Sequence, residues 1–314
     1  MNNTKKLGLT ALAGSLIAAS AYAGDLSVTG SAGITYSNNT SSPKGNAWSM
    51  GDSVTFAGGG DLDNGHTINV SYEYDGDASG TDSTFDSQSI TYGMGDMGTI
   101  IFAGHGGSSA VGRWDDMTPT AYEEVWTGDA GVGRAGGSMG ENAWIYKGTF
   151  SDLDIHLSYQ NAETGEYDSD TSYGAAYNGV DGLSIGAAMS DVESSPSKTV
   201  EHRTVFATYA VGSMTFGIQN STVDDSANST GTDDTDMMAY SASFAVNDNL
   251  SLSVGQNEVG FDASTLNDQE ATGFSVSYTM GSISVKAMRN EIDNVNGVGT
   301  DDRTATEVAV SFAF

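Results

Sequence analysis

The groups best equipped for chemistry are concentrated in one stretch, Arg113-Trp-Asp-Asp-Met-Thr-Pro-Thr-Ala-Tyr-Glu-Glu-Val-Trp126, with Asp129 and Arg134 just beyond it. Its carboxylates come as adjacent pairs, Asp115 with Asp116 and Glu123 with Glu124. Such groups can assist hydrolysis, ligate calcium through oxygen, or stand ionised as a fixed negative field that attracts cations. Hydrolysis would also draw on His156 and a serine nucleophile. In a chain this rich in Ser and Asp that combination is expected by chance. Calcium is open to Asp115 with Asp116, Asp224 with Asp225 and Asp301 with Asp302 alike, and nothing selects one pair.

Two local motifs carry less. Gly131-Val-Gly-Arg-Ala-Gly136 spells G-x-G-x-x-G, but no strand-to-helix crossover surrounds it, and it reads as flexible loop. Asp75-Gly-Asp-Ala-Ser-Gly80 resembles the start of a calcium loop without the bidentate glutamate or the flanking helices. His66, His105, His156 and His202 are dispersed and share no metal-ligand spacing.

Charge and address narrow the function classes. Against 41 Asp and Glu stand 11 Lys and Arg, a formal net charge of −30, which repels nucleic acid and gathers cations. Cysteine is absent, so no disulfide framework is available. Lys5 and Lys6 precede an apolar run from Leu7 to Ala19, and Ala21-Tyr-Ala23 closes it in the A-x-A pattern cut by signal peptidase. Residues 1–23 are expected to be a secretory signal cleaved after Ala23, leaving residues 24–314 as the exported domain.

From Gly24 onward one cadence repeats: about ten residues alternate apolar with small or polar, as in Leu250-Ser-Leu-Ser-Val254, and then break. Sixteen such segments fall at roughly 25–36, 47–60, 66–74, 85–94, 98–104, 141–150, 153–160, 171–178, 182–190, 202–211, 213–220, 236–246, 249–257, 270–280, 282–290 and 304–314. The breaks alternate too. Short ones such as Asp63-Asn-Gly65, Gly212 and Gly281 suit tight hairpins, while longer polar loops lie between them, the longest at 105–140.

Sixteen strands close a ring too wide for side chains to fill, so the polar face must line the hole and the apolar face must meet lipid. The fold expected is all-β, a 16-stranded antiparallel up-and-down transmembrane β-barrel, with short turns at one end and long loops at the other. Aromatics near segment ends, among them Tyr36, Trp48, Tyr92, Phe150, Tyr177 and Tyr278, would form the interfacial girdles. Two other classes remain open: a barrel hydrolase, and an exported acidic surface protein without a pore. The latter should show calcium-binding repeats at a fixed period, and none is present.

The signal, the sixteen segments, the terminal Phe314 and the outsized loop after the fifth segment together resemble a general diffusion porin of the Gram-negative outer membrane. Within that group the chain most resembles the short, acidic porins of alphaproteobacteria. The Pro-Glu-Phe-Gly-Gly type motif of enterobacterial porin loops is absent. The resemblance implies a homotrimer of water-filled barrels passing small hydrophilic solutes and ions across outer-membrane lipid, without catalysis or a required cofactor. It implies that the third loop folds inward to narrow each pore, and that Phe314 belongs to the signal read by the barrel-assembly machinery.

An inward loop would set Asp115, Asp116, Glu123, Glu124, Asp129, Arg113 and Arg134 in the constriction. Enterobacterial porins face such acids with wall arginines, but here the second, third and fourth segments contain no Lys or Arg. Lys147 and Lys286 fall on the polar face by alternation, and Arg203 and Arg289 are further candidates for a weak basic wall. The expected pore prefers cations.

Overall fold

The structure, a computed structural model, describes residues 26–39, 47–75, 85–127, 139–162, 168–195, 198–225 and 234–314. The expected signal, with Ala23 at its end, lies outside the described residues, as do Asp129, Arg134 and the glycine motif at 131–136.

Sixteen strands follow in chain order: β1 (Ser27–Asn39), β2 (Trp48–Asp61), β3 (Thr67–Asp75), β4 (Phe85–Gly93), β5 (Thr99–His105), β6 (Ala143–Phe150), β7 (Leu153–Gln160) and β8 (Asp170–Val180). The second half comprises β9 (Leu183–Ser195), β10 (Lys198–Val211), β11 (Met214–Asp225), β12 (Thr235–Ala245), β13 (Leu250–Phe261), β14 (Gln269–Met280), β15 (Ile283–Asp293) and β16 (Arg303–Ala313). Each pairs antiparallel with its chain neighbours, and β16 returns to β1, so the sheet closes and none of the described strands is an edge strand.

The closing seam extends to the last residue. Gly30 N–H donates to the Phe314 carbonyl and Phe314 N–H to the Gly30 carbonyl, both at 2.9 Å. A side chain at position 30 would meet the Phe314 ring, its Cβ only 2.7 Å from Cε2 and Cζ, so the bare backbone of Gly30 admits that ring. At the short turns, Gly212 and Gly281 take φ of +60° and +63°, the left-handed region that a two-residue hairpin turn requires and glycine adopts without strain.

The two faces divide by chemistry. On the outward face Val254 and Phe274 are 60% and 54% exposed, and aromatics such as Tyr36 and Trp48 pair edge to face at 5.1 Å. The alternating positions carry Ser, Thr, Asn and Gln, many of them buried, such as Ser253 at 8%. Among the described residues no helix is long and apolar enough to cross a membrane, and strands do the crossing instead.

Several strands run further toward the long loops than the alternation indicates: β9 reaches Ser195, β10 begins at Lys198, β11 ends at Asp225 and β15 at Asp293. In these extensions apolar residues are sparse, as in Ser221-Thr-Val-Asp-Asp225 of β11. The backbone ladder continues there without the apolar rhythm that betrays a strand in sequence.

Candidate functional site

After β5, residues 106–127 run along the polar face of the barrel from β7 to β16. This is the face opposite the exposed apolar side chains, inside the closed sheet. The stretch contains one turn of helix, α1 (Ala110–Arg113), whose Ser109 cap accepts from the Gly112 N–H at 2.8 Å. Irregular backbone held away from water needs partners, and wall side chains supply them strand by strand. His156 of β7 donates through Nε2 to the Ser108 carbonyl at 3.1 Å, and Ser172 of β8 accepts from the Ala110 N–H at 2.7 Å. Gln219 of β11 accepts from the Met117 N–H and donates to the Trp114 carbonyl, both at 2.7 Å. Ser241 of β12 donates to the Pro119 carbonyl at 2.7 Å, while Ser253 of β13 and Ser275 of β14 accept from the Ala121 and Tyr122 amides at 2.9 and 3.0 Å. Asn290 of β15 donates to the Glu124 and Thr127 carbonyls at 2.8 and 2.9 Å, and the Tyr122 hydroxyl donates to Glu307 of β16.

Packing fixes the same path. Trp114 is buried against Ala176, Ala188 and Phe206, and Trp126 against Ala239, Ala271 and Ile292. Where the loop passes closest, the wall is glycine. A Cβ at Gly217 would stand 2.3 Å from Pro119 Cδ, and one at Gly174 would stand 2.5 Å from Trp114 Cζ3. Small inward residues thus form a bed for the loop, and hydroxyl and amide side chains bind it there.

Charge separates along the loop. At its start Arg113, whose guanidinium carbon lies 5.4 Å from the Trp114 ring centre, shares a cavity with Lys147 of β6, Asp96 and Asp154. Toward its end Glu123 is half-buried beside Glu124 and Glu307, with Lys286 as the opposing cation. Burial first, then Glu124 and Glu307, push its carboxyl above the ordinary glutamate range against the pull of Lys286. The Lys286 Nζ also lies 5.3 Å from the Tyr122 ring centre. Burial and the bond to Glu307 push the Tyr122 hydroxyl upward as well. The Glu124 carboxylate accepts from Thr127 Oγ1 at 2.9 Å. Asp115 and Asp116 sit half-buried between these ends.

Arg203 and Arg289 are not wall cations. Arg203 shares its face of β10 with the exposed Val205 and pairs with Glu201; Arg289 shares its face of β15 with the exposed Val285 and pairs with Glu291 at 3.4 Å. Both stand on the outward surface near the loop ends, where a snorkelling cation is tolerated. Among the described residues no three His, Cys, Asp or Glu side chains group as a metal site. Of the paired acids, Asp301 is held by Arg303 through Nε at 2.9 Å and Nη2 at 2.6 Å, which draws its carboxyl below the usual aspartate range. Sequence reasoning gave Tyr122, Glu73 and Glu307 no functional part. Strand parity placed Glu73 and Glu307 on the polar face, but nothing in sequence links them to the loop.

A family model described as Gram-negative porin matches residues 8–267. The chain belongs to the Gram-negative porin family. Among solved structures, this porin is similar to a loop-deletion variant of OmpT, an outer membrane protein of Vibrio cholerae, with a TM-score of 0.73 at 13% identity, covering 92% of this chain and 99% of that one. An anion-selective porin from Comamonas acidovorans gives 0.69 at 15%, covering 92% and 99%. Salmonella typhi OmpF, in complex with daunomycin, gives 0.65 at 18%, covering 92% and 97%. No curated protein matches the chain in sequence. Family and fold together make this an integral β-barrel of the outer membrane, with its apolar face against lipid.

Proposed function

We propose that this porin is a non-enzymatic, water-filled diffusion channel for small hydrophilic solutes and ions, assembled as a homotrimer and preferring cations. The observation that carries the preference is the gathering of Glu123, Glu124 and Glu307 on the interior face, with Lys286 as the cation acting on Glu123, while residues 45–112 hold no Lys or Arg. Carboxylates lining a narrow path between low-dielectric walls raise the local concentration of cations and repel anions. Fold does not decide the sign, since a porin of the same fold from Comamonas acidovorans is anion-selective.

Asp115, Asp116, Glu123 and Glu124 supply the negative charge of the constriction in this reading, and Arg113, Lys147 and Lys286 temper it. Asp129 and Arg134 complete the set by sequence. Phe314 serves as the residue read by the barrel-assembly machinery. A barrel hydrolase would need His156 to face a serine hydroxyl, and its Nε2 instead holds the Ser108 carbonyl. Reversal potentials of the purified protein in a planar bilayer under a KCl gradient test the proposal. A potential of the sign set by potassium is expected, and one set by chloride would reject the preference.

A further inference from the structure

We propose that Glu73 is a second determinant of cation selectivity, on the wall that faces the loop. The inference rests on the diffusion-channel reading above and adds to it a residue outside the loop. Tyr72 and Tyr74, its neighbours in β3, are 41% and 39% exposed on the outward surface, so alternation turns Glu73 inward. Both of its oxygens are held. Ser53 of β2 donates to Oε1 at 2.7 Å and Ser87 of β4 donates to Oε2 at 3.2 Å. Two hydroxyls from the flanking strands hold this carboxylate in place on the inward face, which it shares with Ser71 and, two positions further along β3, Asp75.

Its depth matches that of the loop. Glu73 lies six residues from the short-turn end of β3 at Thr67. Gln219 and Ser275, which hold the loop, lie five residues from the short-turn ends of β11 and β14 at Met214 and Met280. The loop covers the wall from β7 to β16, leaving the strands around β3 as the opposite bank of the open passage. On that bank, from residue 45 to residue 112, there is no Lys or Arg to oppose Glu73. Ions therefore pass between two banks of like charge. A potential well for cations takes the place of a transverse field from acids to bases, and Glu73 contributes to it independently of the loop.

The test uses full-length trimers in a planar bilayer under a KCl gradient. Glu73→Gln should lower the potassium-to-chloride permeability ratio about tenfold, since removing one unit charge about 6 Å from an ion in water changes the cation and anion terms about threefold each, in opposite directions. Asp248→Asn, a charge loss in an exposed short turn, should leave the ratio unchanged. Because the chain has no cysteine, Glu73→Cys allows the charge to be restored on a channel already folded. An anionic thiol reagent should return the ratio toward that of the parent, and a cationic reagent should lower it further. If Glu73→Gln matches the parent while Glu123→Gln shifts the ratio, or if Glu73→Cys responds to neither reagent, Glu73 is overturned and the channel stands. Equal shifts in Glu73→Gln and Asp248→Asn would also overturn it. A parent protein that prefers chloride removes the cation reading and Glu73 with it.

Discussion

Gln219→Ala isolates the attachment of the loop from the stability of the barrel. Gln219 is 1% exposed and is the only wall residue placed to satisfy both the Met117 N–H and the Trp114 carbonyl among the described hydrogen bonds. Truncation strands the Met117 N–H and leaves the Trp114 carbonyl only the long contact from Thr204 at 3.5 Å, so the middle of the loop should be weakened by about 1–3 kcal/mol. The strand ladders and the anchors at Ser172, Ser253, Ser275 and Asn290 are untouched, so the closed sheet should survive. Hydrogen exchange with mass spectrometry reads this directly. Exchange of the Met117 amide should accelerate at least about fivefold, the lower bound of that energy range, while β13 and β14 amides keep the parent rate. An unchanged Met117 rate, or acceleration spread evenly over the barrel, would refute the assignment of Gln219 as a loop anchor.

Two further outcomes follow from the same contacts. Gly217→Val places atoms 2.3 Å from Pro119 Cδ, where apolar contact needs about 3.5–4.0 Å, so the loop should shift inward by roughly 1–2 Å and single-channel conductance should fall; equal conductance would contradict the glycine bed. Glu123 has a raised pKa, so the folded loop binds its proton more tightly than the unfolded chain, and the fold gains relative stability as pH falls through the window above the ordinary glutamate value of about 4.3. In the same window the channel loses one negative charge. Cation preference should thus begin to decline, as pH is lowered, before the ordinary glutamate value is reached, and Glu123→Gln should abolish that early decline in reversal-potential measurements.

The barrel was legible because its physics repeats every second residue. Leu252 and Val254 against Ser251 and Ser253 is a pattern that an inside-out sheet imposes on every strand, and glycine at the hairpins marks the turns. Strand ends near the long loops were not legible, since at Ser221 to Asp225 a single apolar residue, Val223, stands among polar ones and alternation carries no signal. The loop and its anchors were legible only in part. The Arg113 to Trp126 stretch stood out by composition, but its partners Gln219, Ser241, Ser275 and Asn290 look in sequence like any other polar strand residues. Their meaning depends on a loop more than a hundred positions away in the chain. Arg203 and Arg289 were misplaced against the alternation itself, since counting in twos from Val205 and from Val285 sets both on the apolar face.

The inside-out arrangement itself is tested most directly by reagent access along β3, which the loop leaves uncovered. Single cysteines replacing Asn69, Val70, Ser71 and Tyr72 in turn, in protein reconstituted into lipid, would be exposed to a charged, membrane-impermeant thiol reagent. Rapid labelling at 69 and 71 with protection at 70 and 72 is the expected result. Labelling at 70 and 72 with protection at 69 and 71, or equal labelling at all four, would contradict a water-filled lumen bounded by lipid.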